Sequence, residues 1–406
     1  MIRKSIGLRF IGLLLSIMMV SVIFFNQEAS AVPAFARQQG ISCSSCHTNW
    51  PQLNSFGRSF KESGYRLNEE NLQISDYLTL NKNIPVSARL NMRIIDRKTS
   101  AKLNLRAFHE AEVFFAGKAG DKFSFFAEMA SEDEFAPAEE PGDGVNDPQG
   151  VPGFQVQVVS GVVSYHHNRY ANLYFGLGSP FYPDGYNTLH HHNASRKDWV
   201  PLTKGFIPGE SQFVSLSGRP VDELFYIVGV SADNANSSRL EGNDAQDYSL
   251  RLAYDLLPDI TLGAFYNAGK IFDSDKGEST DNKLFSRRGI DLNANVDSIN
   301  IDALYAIARD IDDNNDGIVD GLINDYIFSV EVHYFLEKDG RPWLSPSLIY
   351  DRYTMNDGRD DWAEGGLFIT YFARDNIKTQ IGWEGTFDDP SGDNSGRYSL
   401  VVDVGF

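Results

Sequence analysis

The sequence predicts an all-β chain, a transmembrane antiparallel β-barrel of about 16 strands preceded by a short N-terminal helical segment. Three observations carry that expectation. From Pro85 to the C-terminus apolar and polar residues alternate with a period of two, as strands with one apolar face require. The connections between these segments alternate between tight turns and long polar loops, which sorts them to the two ends of a barrel. After residue 31 no stretch approaches the roughly 20 continuous apolar residues of a membrane helix, so any crossing falls to strands.

Taken in order, the chain opens with Arg3, Lys4 and Arg9, an apolar run from Ile11 to Phe25, and Ala29-Ser30-Ala31. That order of charge, apolar run and small residues reads as a secretory signal peptide, residues 1–31. Its removal takes away three positive charges and Glu28, moving the net charge from −19 to about −21. So acidic a chain argues against nucleic acid and anionic surfaces as partners and favours cations. Aromatics at 13% and 35 glycines suit outer-membrane strands with aromatic girdles.

Residues 32–83 form the next unit, built around Cys43-Ser44-Ser45-Cys46-His47. Two cysteines two residues apart and an adjoining histidine form the c-type haem attachment signature, with two thioether bonds and an imidazole for the iron. These are the only 2 cysteines in the chain. The other readings of such a pair are a disulfide or redox pair, or half of a zinc site. Zinc would need a second ligand pair and a thioredoxin-like site a βαβ pattern, and the sequence has neither. Pro51 then opens a stretch in which Leu53, Phe56 and Phe60 recur at helical spacing, with Gly64 as C-cap. One amphipathic helix makes no core alone, so its apolar stripe packs on the haem face or on the barrel wall.

The barrel unit spans residues 84–406. Val86, Ala88, Leu90, Met92 and Ile94 alternate with Ser87, Arg89, Asn91 and Arg93, and further strands are expected near residues 102, 122, 152, 170, 210, 223, 246, 259, 283, 298, 324, 343, 361, 376 and 397. Tight connections follow every second strand, among them Gly117 to Gly120, Leu256 to Pro258 and Asp297. Long acidic ones, such as Ser131 to Gly150 and Ser179 to Gly209, follow most of the others. Short turns lie on the periplasmic side of outer-membrane barrels. The last strand, Tyr398 to Phe406, ends on an aromatic.

The run Ala34-Phe35-Ala36-Arg37-Gln38-Gln39-Gly40 leading to Cys43 through His47, then Pro51-Gln52-Leu53 and Phe56-Gly57-Arg58-Ser59-Phe60, resembles the head of outer-membrane porin–cytochrome fusions of the iron-oxidising type. The likeness covers about 35 residues. It implies a single haem c held by Cys43 and Cys46, with His47 as proximal ligand, ahead of a barrel in the bacterial outer membrane. It further implies an electron-transfer protein acting as an iron oxidase, taking an electron from an extracellular donor such as Fe(II) and passing it to a periplasmic c-type cytochrome. The rival readings are a transport porin with a haem plug or sensor, and an outward conduit to an extracellular acceptor.

Between Thr48 and Asn91 there is no His or Met, so a sixth iron ligand must come from the barrel or its loops. Tyr326, Phe328, Val330, Val332 and Tyr334 form one face of their strand, which turns Glu331 and His333 into the lumen and makes His333 the first candidate, the other reading being a histidine simply paired with Glu331. Met129 shares the apolar face of Phe123 and Phe125, and His109 falls on an apolar face unless a bulge shifts its register. His190, His191 and His192 sit in the longest loop, which could fold into the pore or hold a metal ion; a solvated loop is the other reading. Asp312, Asn314, Asp316, Gly317 and Asp320 follow the spacing of a calcium loop, although Ile323 stands where the bidentate Glu belongs; an acidic turn is the other reading. No nucleophile elbow, phosphate-binding loop or HExxH pair is present, which excludes the common hydrolase and nucleotide chemistries.

Overall fold

The computed structural model describes residues 34–35, 41, 45–49, 52–66, 86–97, 103–132, 155–186, 189, 200–232, 246–271, 283–312, 321–338, 341–355, 360–374, 376–390 and 396–405. Strands β1 (His47–Asn49) and β2 (Gln52–Leu53) and helix α1 (Ser55–Glu62) make up the N-terminal head. The barrel follows as β3 (Val86–Arg97), β4 (Leu103–Ala119), β5 (Phe123–Glu132), β6 (Gln155–Asn168), β7 (Ala171–Gly178), β8 (Ser211–Val221), β9 (Leu224–Ala232) and β10 (Gln246–Leu257). It continues with β11 (Ile260–Ile271), β12 (Lys283–Val296), β13 (Ile299–Asp312), β14 (Gly321–Tyr334), β15 (Leu336–Lys338), β16 (Arg341–Met355), β17 (Asp360–Arg374), β18 (Ile377–Asp388) and β19 (Gly396–Gly405). A short helix α2 (Val200–Thr203) lies between β7 and β8.

Every neighbouring pair is antiparallel, and β19 pairs with β3 through Val404↔Leu90 and Ser399↔Ile95, so the sheet closes. β14 and β15 both pair with β16 and form one strand interrupted at Phe335, which makes a 16-strand barrel. The alternating sequence explains it: a closed ring leaves no unpaired edge, and each pleat sends one set of side chains in and the other out. On β10, Tyr248, Leu250, Leu252 and Tyr254 are exposed while Asp247, Ser249, Arg251 and Ala253 are buried. On β14, Tyr326, Phe328 and Tyr334 face out, and Asp325, Ser329, Glu331 and His333 are buried. Polar groups inside and an apolar belt outside invert the arrangement of a water-soluble protein and match a wall covered by lipid chains.

The observed strand starts fall within three residues of the expected ones throughout. At the short-turn end, the β12–β13 turn uses Asp297 in the left-handed region (φ 51) and the β4–β5 turn uses Gly120 (φ 70), as two- and three-residue turns demand. Two local expectations change. The helix starts at Ser55 behind an Asn54 cap, four residues later than Pro51 suggests, because Gln52 and Leu53 are drawn into a ladder with β1. His109 is fully buried instead of joining the exposed belt. In β4 the residues Ala107 to His109 bulge opposite Met92, between the pairs Asn91↔Glu110 and Arg93↔Arg106, and the bulge resets the register there.

Candidate cofactor site at the short-turn end

The head is organised by Asn54. Its backbone N–H donates to the Cys46 carbonyl at 2.9 Å and its Nδ2 donates to the Ser45 carbonyl at 3.0 Å. Its Oδ1 accepts the Gly57 N–H at 2.9 Å, capping α1. One side chain thus ties the end of the cysteine motif to the first helical turn. Gly57 lets them approach, since a Cβ there would stand 2.2 Å from the Cys46 carbonyl oxygen.

His47 pairs with Leu53 across the β1–β2 ladder, and its Nδ1 lies 3.2 Å from the Gln52 carbonyl oxygen. A carbonyl only accepts, so Nδ1 carries the proton and Nε2 keeps its lone pair, the tautomer a metal ligand needs. Cys46 is a free, half-buried thiol, and burial pushes its pKa up. Cys43 lies outside the described residues. A free thiol next to an imidazole whose Nδ1 faces a carbonyl, packed on a glycine face, fits the chemistry of a c-type haem. Phe35, Phe60 and Tyr65 close the other side of the head, with ring centroids 4.5–5.8 Å apart.

The barrel and the head share polar contacts at the short-turn end. Gln52 Nε2 donates to Asp302 on β13 at 2.5 Å. Arg58 donates to Asn293 at 3.4 Å and to the Pro258 carbonyl at 3.5 Å. Glu62 accepts two bonds from Arg219 on β8, at 2.6 and 3.0 Å. Arg66 donates to the Phe123 carbonyl at 2.7 Å. Gly64, left-handed at φ 69, lies so close to His166 that a Cβ would meet its imidazole.

The β7–β8 connection folds inward as well. Its Phe181, Tyr186, Leu189, Val200, Phe206 and Ile207 form one buried cluster with Phe225, Ile227, Phe265, Leu304, Ile327 and Tyr353 of the barrel wall. Arg251, wholly buried, bridges Asp184 of this loop (3.0 Å) and Asp291 of β12. The loop then meets the head. Lys61 donates to the Asp184 carbonyl at 2.9 Å and lies over the Tyr182 ring, and the Tyr65 and Tyr182 hydroxyls are 2.8 Å apart. The guanidinium groups of Arg58 and Arg219 both lie over the Tyr186 ring, 4.8 and 5.9 Å from its centre. Burial lowers the Lys61 pKa to about 8, against the opposing pull of Asp184 and Glu62. Burial raises that of Tyr65 to about 12. Away from the loop, the wall is charged: Arg89 contacts Glu110 (3.2 Å), Glu112 (3.0 Å) and Asp403 (3.0 Å), and Lys378 lies 3.8 Å from Asp403.

Of the residues expected to serve a site, His333 is lumenal and buried, its Nε2 2.5 Å from Glu331. It stands directly across from Asn300 on β13 and Ser347 on β16. Met129 occupies the outward side of β5 with Phe123. His190, His191 and His192 and the loop residues Asn314, Asp316 and Asp320 lie outside the described residues, and Asp312 is described only as a strand residue paired with Gly321. Among the described residues no three His, Cys, Asp or Glu side chains converge to hold a metal ion. Sequence reasoning missed Gln52, Asn54, Asp302, Arg219 and Tyr186. Only Asn54 carried a local signal, an Asn directly before a helical repeat.

No protein-family model and no curated protein sequence matches the chain. Solved structures do. The chain is similar to the outer-membrane OmpT of Vibrio cholerae, with TM-score 0.56 and 10% identity over 83% of this chain and 100% of that one. It is similar to the outer-membrane channel DcaP of Acinetobacter baumannii, with TM-score 0.56 and 13% identity over 79% of this chain and 96% of that one. It is also similar to Salmonella typhi OmpF in complex with daunomycin, with TM-score 0.55 and 11% identity over 81% and 100%. At these identities the likeness shows the fold, that of outer-membrane porins.

Proposed function

We propose that the chain is an outer-membrane cytochrome-porin that takes one electron from an extracellular donor, ferrous iron, and delivers it to a periplasmic c-type cytochrome. Cys43 and Cys46 would hold haem c, which would supply a one-electron couple. His47 would bind the iron through Nε2, and His333 is the barrel's candidate for a further ligand. The observation that carries this reading is the joint of head and wall: the Nδ1 side of His47 faces the Gln52 carbonyl, and Gln52 is itself bonded to Asp302 inside the bore. An apolar exterior of about 25 Å separates the two aqueous phases in such barrels. A head seated within the bore shortens that gap from the inside. His333 is supported by its lumenal burial and by an Nδ1 without a hydrogen-bond partner among the described residues.

The test is spectroscopic. Full-length protein in liposomes, oxidised, should show rapid haem reduction when Fe(II) is added outside. Cys43→Ala or Cys46→Ala should remove the covalent haem band, and His333→Ala should shift the spectrum. A fully folded wild type without haem defeats the reading. The porin fold favours a second reading, a solute channel with the head as plug. Free solute permeation combined with a spectrum indifferent to Fe(II) would select it.

A further inference from the structure

We propose that Asp302, a residue of the barrel wall, is a positioning residue for the His47 imidazole and acts on it through Gln52; this rests on reading Cys43 to His47 as a haem-attachment site. Asp302 and Gln52 stand 250 residues apart in sequence, yet both are almost wholly buried, 6% and 3% exposed, and in contact. One carboxylate oxygen of Asp302 accepts the Gln52 Nε2–H at 2.5 Å, and the other accepts the Asn293 Nδ2–H at 2.5 Å. The anion is therefore fixed at both oxygens. Gln52 in turn presents its backbone carbonyl to His47 Nδ1.

Two physical effects follow from this chain of contacts. The first is orientation. A two-stranded ladder as short as β1–β2 is marginal by itself, and the bond to Asp302 anchors its second strand to a wall fixed by a full barrel ladder. The second is electrostatic. Holding β2 in place keeps the Gln52 backbone carbonyl against the Nδ1 proton, and that bond makes Nε2 the more basic and favours the more highly charged state of a metal bound there. The barrel thereby lowers the midpoint potential of the group its own head carries. Neither the head nor the barrel has this property alone.

The experiment uses the full haem-loaded chain in lipid and measures the midpoint potential optically. Asp302→Asn keeps size and an accepting oxygen but removes the charge, and it should shift the reduction equilibrium toward the reduced form by about tenfold, or ~59 mV for a one-electron couple. In a Gln52→Ala background, which keeps the backbone carbonyl but cuts the link, Asp302→Asn should have no further effect. Asp302→Glu should restore most of the wild-type potential. A second readout needs no haem: in the Cys43→Ser, Cys46→Ser chain, nitrogen NMR should find His47 as the Nδ1–H tautomer, and Asp302→Ala should average the two tautomers. Unchanged potentials in Asp302→Asn, or an unchanged tautomer in Asp302→Ala, overturn the relay. A wild type that binds no haem overturns the cofactor reading instead, and the tautomer measurement then decides the relay.

Discussion

Replacing Glu62 by Ala should loosen the head from the barrel by an amount the structure allows to be bounded. Glu62 accepts two bonds from Arg219, at 2.6 and 3.0 Å, with side-chain exposures of 15% and 20%. Charge-assisted bonds of this kind contribute roughly 1.5–3 kcal/mol when partly shielded from water. Arg219 keeps other partners, however: Asp255 at 2.9 Å and the Tyr186 hydroxyl. The guanidinium is therefore not left bare, and the net cost to docking falls at about 1–3 kcal/mol. At 1.4 kcal/mol per tenfold, the undocked fraction should rise roughly 5- to 140-fold. Lys61 and Arg66 lie within or next to α1 and make polar contacts with the barrel and its inserted loop, so tryptic cleavage after either residue reports undocking. Glu62→Gln, which preserves shape and one acceptor, should give an intermediate rate. Arg219→Ala should exceed both, because it strips Glu62, Asp255 and Tyr186 together. Equal cleavage of wild type and Glu62→Ala would refute the reasoning and assign the docking to the remaining contacts.

Arg251→Ala should cost about 3–5 kcal/mol, because it leaves Asp184 and Asp291 buried without their shared cation; an unchanged thermal unfolding midpoint in detergent would count against this. Gly57→Ala should cut the yield of covalent haem on gels several-fold by forcing the Cys46 carbonyl away from α1, while barrel formation, read from heat-modifiable migration, stays intact. Lys61 gives a pH effect of defined sign. Its docked pKa of about 8 lies below the ordinary 10.5, so the released head binds more protons across that window. Docking should strengthen as pH rises from about 8 toward 10.5, by at most ~1.4 kcal/mol per unit, and Lys61→Met should flatten the profile.

The barrel was legible because its information is local. A two-residue period and turn residues such as Gly120 and Asp297 report strands wherever they occur, and no distant contact overrides them once the ring is closed. His109 marks the limit of such information: which way it faces depends on whether a bulge is present, and a bulge changes the pairing without changing the composition of the strand. The cysteine motif was equally local, but its seat was not. Nothing near Gln52 in sequence points to Asp302, and Glu62 and Arg219, 157 positions apart, look like ordinary surface charges until the fold joins them. The inward turn of the β7–β8 loop is intermediate. Its length suggested that it could enter the pore, but its partners on the wall are apolar residues such as Ile227 and Leu304, which interrupt the polar inner face and would have marked the spot.

The pairing of β19 with β3 also orders events in time. The ring is sealed by residues such as Leu90 and Val404, from opposite ends of the polypeptide, so closure waits for the whole chain and for a slow, distant encounter. The head and the inserted loop both contact residues of that ring's inner face, and they make contact with each other through Lys61, Tyr65, Tyr182 and Asp184. A nascent head–loop pair of this kind would give the closing wall something to wrap around.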